Sequence, residues 1–81
     1  MARLRVMSWR GDSVFEWDPR RVATGDPEAE AAVREAERIF SEERARGATA
    51  FRVAPGKLGE KIDSFDPNAE QIVMVPRIAG G

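Results

Sequence analysis

Two segments near the start of the chain, Leu4 to Trp9 and Val14 to Asp18, are rich in apolar residues, and in each of them apolar residues mark one alternating face: Leu4 and Val6, and Phe15 and Trp17. A period of two is typical of a β-strand with one buried face. Between the two segments lies Arg10-Gly11-Asp12-Ser13, and a Gly-Asp pair suits a two-residue hairpin turn because glycine tolerates a positive φ. The pattern therefore predicts an antiparallel hairpin with Gly11 and Asp12 at its tip.

This turn sets a predicted register for the two strands. On the apolar face, with Leu4, the cross-strand pairs are Val6 with Trp17 and Ser8 with Phe15. On the other face the pairs are Arg5 with Asp18, Met7 with Glu16, and Trp9 with Val14. An apolar face and a charged face are what a half-buried antiparallel sheet requires.

The segment after the hairpin carries three signals for the start of a helix. Asp26 is able to cap free amides, Pro27 sits where no amide hydrogen is needed, and Glu28 favours the positive end of the helix dipole. Gly47 is the natural stop. We therefore expect one long helix between these points, with an apolar stripe at helical spacing. The stripe consists of Ala29, Ala32, Val33, Ala36, Ile39 and Phe40.

The last third of the chain predicts two more strands. Thr49 to Val53 is short and β-prone, residues 55–65 indicate an irregular link, and residues 66–68 indicate a turn or a single helical turn. Gln71 to Ile78 is apolar on both faces over Ile72 to Val75, which indicates a central strand lying beside the first one.

Together these elements predict an α+β fold, with a mixed four-stranded sheet, one long helix across one face and the order ββαββ. This is the β-grasp, or ubiquitin-like, arrangement. Residues 1–76 would form the domain, and residues 77–81 a flexible tail. The predicted core is Leu4, Val6, Phe15, Trp17, Val33, Phe40, Phe51 and either Ile72 or Val73.

Composition narrows the function classes. The net charge is −1 with no basic stripe among aromatics, so we expect no nucleic-acid partner. The chain has no cysteine and no histidine, which removes thiol chemistry, the usual zinc ligands and the usual general base. We therefore expect no catalytic residue and no metal site. No apolar run is long enough for a signal peptide or a membrane span, so we expect a cytoplasmic protein without a membrane partner.

The end of the chain, Val73-Met74-Val75-Pro76-Arg77-Ile78-Ala79-Gly80-Gly81, resembles that of the ubiquitin-like sulfur carriers and small protein modifiers. Carriers of the thiamine and molybdopterin pathways close with an apolar strand, a proline, an aliphatic residue, a small residue and Gly-Gly. Arg77 stands where these carriers often have a second proline, and it resembles the arginine-bearing tail of ubiquitin. The long helix and the 55–65 link are not typical of the short carriers. The resemblance therefore leaves the subfamily open.

The resemblance implies a carrier or modifier that is a substrate and not an enzyme. An E1-like adenylating enzyme would activate the carboxylate of Gly81 with ATP and Mg, while the chain itself binds no cofactor. Gly81 would then carry sulfur as a thiocarboxylate to an accepting enzyme, or form an isopeptide bond with a target protein that a metalloprotease could cleave. The residues read by the partner would be Pro76, Arg77, Ile78, Ala79 and Gly80.

A second hypothesis is a non-covalent β-grasp interaction module whose tail is inert, since glycine-ended termini are routinely disordered. Its candidate docking patch is Met7, Trp9 and Val14, which the predicted register places on the face away from the helix. Paired catalytic acids are a weaker alternative, because acidic residues at turns and caps have structural uses and a domain this small offers little of a cleft. The acids considered are Asp12, Glu16, Asp18, Asp63 and Asp66.

Overall fold

The structure is a computed structural model that describes residues 1–77 of the chain. Over this range the elements are β1 (Ala2–Ser8), β2 (Gly11–Trp17), α1 (Pro19–Ala23), α2 (Pro27–Ala45), β3 (Thr49–Val53), β4 (Glu60–Ile62) and β5 (Gln71–Val75). The strands form one mixed sheet in the order β2-β1-β5-β3-β4, in which β1 and β5 are parallel and the other neighbours are antiparallel. The α+β class, the mixed sheet and the long helix are as predicted.

The central position of the last strand is confirmed. β5 lies between β1 and β3, and it runs parallel to β1. Ile72 and Met74 on one side of it are fully buried, while Val73 on the other side is half-buried. A central strand has neighbours on both sides, so its residues are at least half-buried on either face, and the continuous apolar run identified it for this reason.

The element count differs from the prediction, since the described residues contain five strands and a second helix. β4 lies inside the segment that was expected to be irregular, and it pairs with β3 at the edge of the sheet. Three residues are too few to show a period, and Glu60 and Lys61 are the charged residues that edge strands favour. α1 follows the hairpin, where Asp18 caps it by accepting a hydrogen bond from the Arg20 amide at 3.0 Å.

The predicted hairpin register is wrong. Leu4 pairs with Phe15, and Val6 faces Ser13, four residues before the predicted partner Trp17. The turn is formed by Trp9 and Arg10, and Gly11 follows it with a φ of 121°. A shift by an even number of residues leaves every side chain on its face, so the predicted apolar face is correct although its pairs are not.

The charged pair of the hairpin changes with the register. Arg3 forms an ion pair with Glu16 at 3.4 Å, whereas the prediction paired Arg5 with Asp18. The turn is held by Ser8, whose hydroxyl donates to the Gly11 carbonyl at 2.7 Å and accepts from the Arg10 amide at 3.2 Å. This use of Ser8 stabilises a turn that alternation alone does not locate.

Both predicted ends of the long helix are close to those observed. The Asp26 side chain accepts a hydrogen bond from the Glu28 amide at 2.9 Å, and Pro27 is the first helical residue. α2 ends at Ala45, and Gly47 then adopts a φ of 98°. The predicted stripe faces the sheet: Ala29, Ala36 and Phe40 are buried, and Ala32, Val33 and Ile39 pack against the core.

The core between α2 and the sheet contains a cluster of three aromatic rings. The ring of Phe65 lies 5.4 Å from Trp17 and 5.7 Å from Phe40, measured between centroids. The Trp17 indole donates a hydrogen bond to the Pro67 carbonyl at 2.8 Å, which satisfies its buried N–H. Around this cluster Leu4, Ile72 and Met74 are fully buried.

Phe51 is a correction to the predicted core. It pairs with Val73 on β5 and with Lys61 on β4, and it lies on the face of the sheet away from α2. Its neighbour Ala50 is the buried residue of β3. The choice between Ile72 and Val73 is likewise settled in favour of Ile72. Neither α1 nor α2, the helices within residues 1–77, is long and apolar enough to span a membrane.

Candidate functional site

The first candidate site is the segment that follows β5. The last residue pair of this strand joins Val75 to Thr49, and the strand ends before Pro76. Proline has no amide hydrogen for the next rung of a ladder, which explains why the strand stops there and does not continue to Ile78 as predicted. Pro76 and Arg77 are both exposed.

Arg77 lies against the C-terminal end of α2. A β-carbon added to Gly47 would stand 3.0 Å from Cδ and 3.4 Å from Cβ of Arg77. Glycine at position 47 therefore serves two purposes, since it allows the positive φ that ends the helix and leaves room for this side chain. The chain leaves the sheet beside the end of α2.

The other predicted residues of the tail, Ile78, Ala79, Gly80 and Gly81, lie outside the described residues. The structure accordingly places Pro76 and Arg77 and leaves the predicted covalent attachment at Gly81 as an expectation from the sequence. The predicted division into a domain (residues 1–76) and a flexible tail (residues 77–81) likewise stays a prediction from the sequence.

The second candidate site is the face of the sheet away from α2, called here the open face. Pairing across all five strands sets one row of side chains on it, called here the open-face row. In order from β2 to β4, the row is Val14, Arg5, Val73, Phe51 and Lys61.

The predicted patch is only partly assembled on this face. Met7 and Val14 do lie there and are 41% and 45% exposed. Trp9 does not lie beside Val14, because it occupies the hairpin turn, where it is 88% exposed and stacks with the Arg10 guanidinium at 5.4 Å from its ring centroid. The wrong register is the cause of this error, since it extended β1 to Trp9.

Sequence reasoning missed two residues of the open face. Phe51 was assigned to the core, because alternation in one short strand does not tell which side faces the helix. Arg5 was given a carboxylate partner, Asp18, that it does not have. Its Nε is shielded from water and has no hydrogen-bond partner within the described part of the chain.

Four of the five acidic residues considered as catalytic groups have structural partners. Asp63 accepts a hydrogen bond from Arg44 at 3.2 Å, and Asp66 accepts one from Arg52 at 2.8 Å and another from the Asn68 amide at 3.0 Å. Asp18 caps α1, and Glu16 pairs with Arg3. In residues 1–77 no group of three carboxylates is arranged to hold a metal ion.

Comparison with known proteins gives no relative. The chain matches no protein-family model, and neither the curated protein sequences nor the solved structures include a significant match. Any function must therefore be argued from the two sites themselves.

Proposed function

We propose that this chain is a ubiquitin-like carrier of the β-grasp fold that acts through the carboxylate of Gly81. The observation that carries the proposal is the order of chemistry along the last nine residues: an apolar strand, a proline, an aliphatic residue, a small residue and two glycines. The β-grasp assignment is supported by the parallel pairing of β1 with a central β5 and by the long helix across one face.

The proposed chemistry takes place in an E1-like partner enzyme that supplies ATP and Mg. A carboxylate oxygen of Gly81 attacks the α-phosphorus of ATP, and pyrophosphate leaves. A nucleophile then attacks the acyl-adenylate carbonyl and AMP leaves, as in other two-step covalent transfers. With a sulfur donor the product is a thiocarboxylate, and with a lysine amine it is an isopeptide bond and a released proton.

The residue types before Gly81 suit a peptide that enters another enzyme's channel. A terminal glycine leaves its carbonyl without a neighbouring Cβ, so that a nucleophile is able to approach from either side. Gly80 gives the backbone access to φ values that other residues resist. Pro76 ends the pairing of β5 at Val75, because it has no amide hydrogen for a further rung of the sheet. The carrier therefore supplies the C-terminal peptide, and its partner enzymes supply the catalysis.

An intact-mass experiment tests the proposal. The full chain is incubated with an adenylating enzyme from the same genome, ATP, Mg and a sulfur donor, and we expect a mass gain equal to one sulfur replacing one oxygen. A variant lacking Gly81 should show no gain while keeping its circular dichroism spectrum. A gain of the same size in the truncated variant would refute the role of Gly81.

The second candidate function is a non-covalent interaction module, and the open face is the observation that favours it. Met7 and Val14 are both exposed on this face, and β1 and β5 are inner strands of the sheet that forms it. On this alternative the Gly81-deleted chain binds its partner as well as the full chain does.

A further inference from the structure

The arginines of this sheet differ in how their charge is satisfied. On β3, Arg52 donates to Asp66 at 2.8 Å and also to Glu60, and these contacts raise its pKa above the ordinary value. On β1, Arg3 pairs with Glu16. Arg5, two residues after Arg3 and on the same face, has no such partner among the described residues.

The neighbours of Arg5 in the open-face row are apolar. Its direct neighbours in the open-face row are Val14 and Val73, which offer no acceptor, and Phe51 follows beyond Val73. The side chain is half-buried and its Nε is shielded from water. A guanidinium donor that has lost water without gaining an acceptor destabilises the free protein.

Two acidic residues of β2 reach the same face, and neither satisfies Arg5. Glu16 is engaged by Arg3 at 3.4 Å. Asp12 stands opposite Met7, one step along the strands from the Arg5–Val14 pair, and it makes no ion pair with Arg5. The open face therefore carries, near its middle, a half-buried cation that has no carboxylate partner among residues 1–77 and whose Nε is left without an acceptor.

We propose that the open face is a docking surface for a partner protein that presents an aspartate or glutamate carboxylate among apolar side chains. The carboxylate binds the two terminal nitrogens of the Arg5 guanidinium, which unlike Nε are not shielded, and its two oxygens match their planar geometry. The apolar groups of the partner pack on Val14, Val73 and Phe51. An arginine surrounded by apolar contacts is the usual composition of an interface centre.

The charge of the face selects a protein over a nucleic acid. Arg3 and Lys61 lie on this face as well as Arg5, but Asp12 and Glu16 stand on either side of the Arg5–Val14 pair and would repel the run of negative charges of a phosphate backbone. The whole chain has a net charge of −1. A single carboxylate within an apolar surface gains the contact with Arg5 and avoids repulsion from a line of phosphates.

A peptide selection tests this proposal. The full chain is used to select binders from a displayed library of random 12-residue peptides, and the strongest binders are synthesised. We expect them to contain an aspartate or glutamate next to apolar residues, and to bind the Arg5→Met variant about 10- to 100-fold more weakly. Arg34→Met, the same change on the exposed side of α2, should leave their affinity unchanged.

A charge exchange makes the test specific to the contact. Arg5→Glu should abolish binding of the selected peptide, and the peptide with its acid replaced by arginine should recover binding to that variant. Selected peptides without an acidic residue, or peptides that bind Arg5→Met as well as the wild type, would overturn the proposal. Circular dichroism and thermal unfolding show whether each variant is folded.

Two further measurements separate this proposal from its alternatives. Sedimentation of the full chain at micromolar to millimolar concentration should show a monomer; a dimer lost in Arg5→Met would assign the face to a second copy and overturn the partner proposal. The Gly81-deleted chain should bind the peptides with unchanged affinity, because docking on the open face does not need the tail. If the Gly81 chemistry fails, the peptide-binding result still stands. If peptide binding fails, the Gly81 chemistry is not affected.

Discussion

Arg77 packs over Gly47, so that the chain leaving β5 is in contact with the glycine that follows the end of α2. The contact is close enough that a β-carbon at position 47 would approach Arg77 Cδ to 3.0 Å. Because Gly47 also has a φ of 98°, the same glycine is required both by the helix end and by the side chain of the departing segment.

Gly47→Ala should therefore have two separate effects. The positive φ alone should lower the free energy of unfolding by about 1–2 kcal/mol, measured by urea denaturation. The added methyl group should also displace Arg77, which is visible as a shift of its side-chain NMR signals. Gly25→Ala is the matched control, since Gly25 has a φ of 82° but nothing within 4 Å of its added β-carbon. Unshifted Arg77 signals in Gly47→Ala would show that the contact is absent in solution.

Neighbouring residues of β5 should differ sharply in their contribution to stability. Ile72 is fully buried under α2, so Ile72→Ala should cost about 2–5 kcal/mol of unfolding free energy. Val73 lies half-buried on the open face, and Val73→Ala should cost about 1 kcal/mol or less. Equal losses in the two variants would mean that α2 does not select one face of the sheet.

Acid should destabilise the start of α2 through Asp26. The hydrogen bond from Arg21 holds the pKa of Asp26 below its ordinary value, with a further contribution from the Glu28 amide. A carboxyl whose pKa is lower in the folded state stabilises the fold above its unfolded pKa, about 3.9, and that stability is lost as the pH falls through the folded pKa.

Asp26→Asn should consequently flatten the pH dependence of stability between about pH 5 and pH 2, since asparagine caps a helix nearly as well but does not titrate. Denaturation midpoints at a series of pH values give this slope. Some dependence should remain, because Arg38 likewise holds the pKa of Glu35 below its ordinary value. A slope as steep as that of the wild type would exclude Asp26 as a contributor.

Arg5 and Arg52 should respond to the same substitution in opposite ways. Arg5→Met removes an unsatisfied donor from a half-buried site, so the melting temperature should be unchanged or higher. Arg52→Met removes the contacts to Asp66 and Glu60, and its melting temperature should fall. Thermal unfolding followed by circular dichroism measures both. A clear loss of stability in Arg5→Met would mean that Arg5 has a structural partner in solution.

Local signals predicted the elements that are determined locally. Asp26, Pro27 and Gly47 define the ends of α2 because caps and positive φ values depend on a few adjacent residues. The same Asp-Pro signal occurs at Asp18-Pro19 and starts α1, although no long apolar stripe follows it. The continuous apolar run at Ile72 to Val75 likewise identified the central strand from adjacent residues alone.

Properties that depend on how the strands pair were harder to predict from the sequence. The hairpin register was misplaced by an even number of residues, because all such shifts preserve the apolar face. Phe51 was assigned to the wrong side of the sheet, since the side facing the helix is decided by the pairing of β3 with β5. The unsatisfied Arg5 could not be predicted for the same reason, because its neighbours are set by the pairing of β1 with β2 and with β5.

Adenylation of Gly81 is the step shared by sulfur carriage and protein conjugation, and isotope exchange measures it directly. An adenylating enzyme from the same genome is mixed with labelled pyrophosphate, ATP, Mg and either the full chain or the chain lacking Gly81. We predict that label enters ATP only with the full chain. Exchange that is equal for both chains, or absent for both with an enzyme shown to be active, would contradict it.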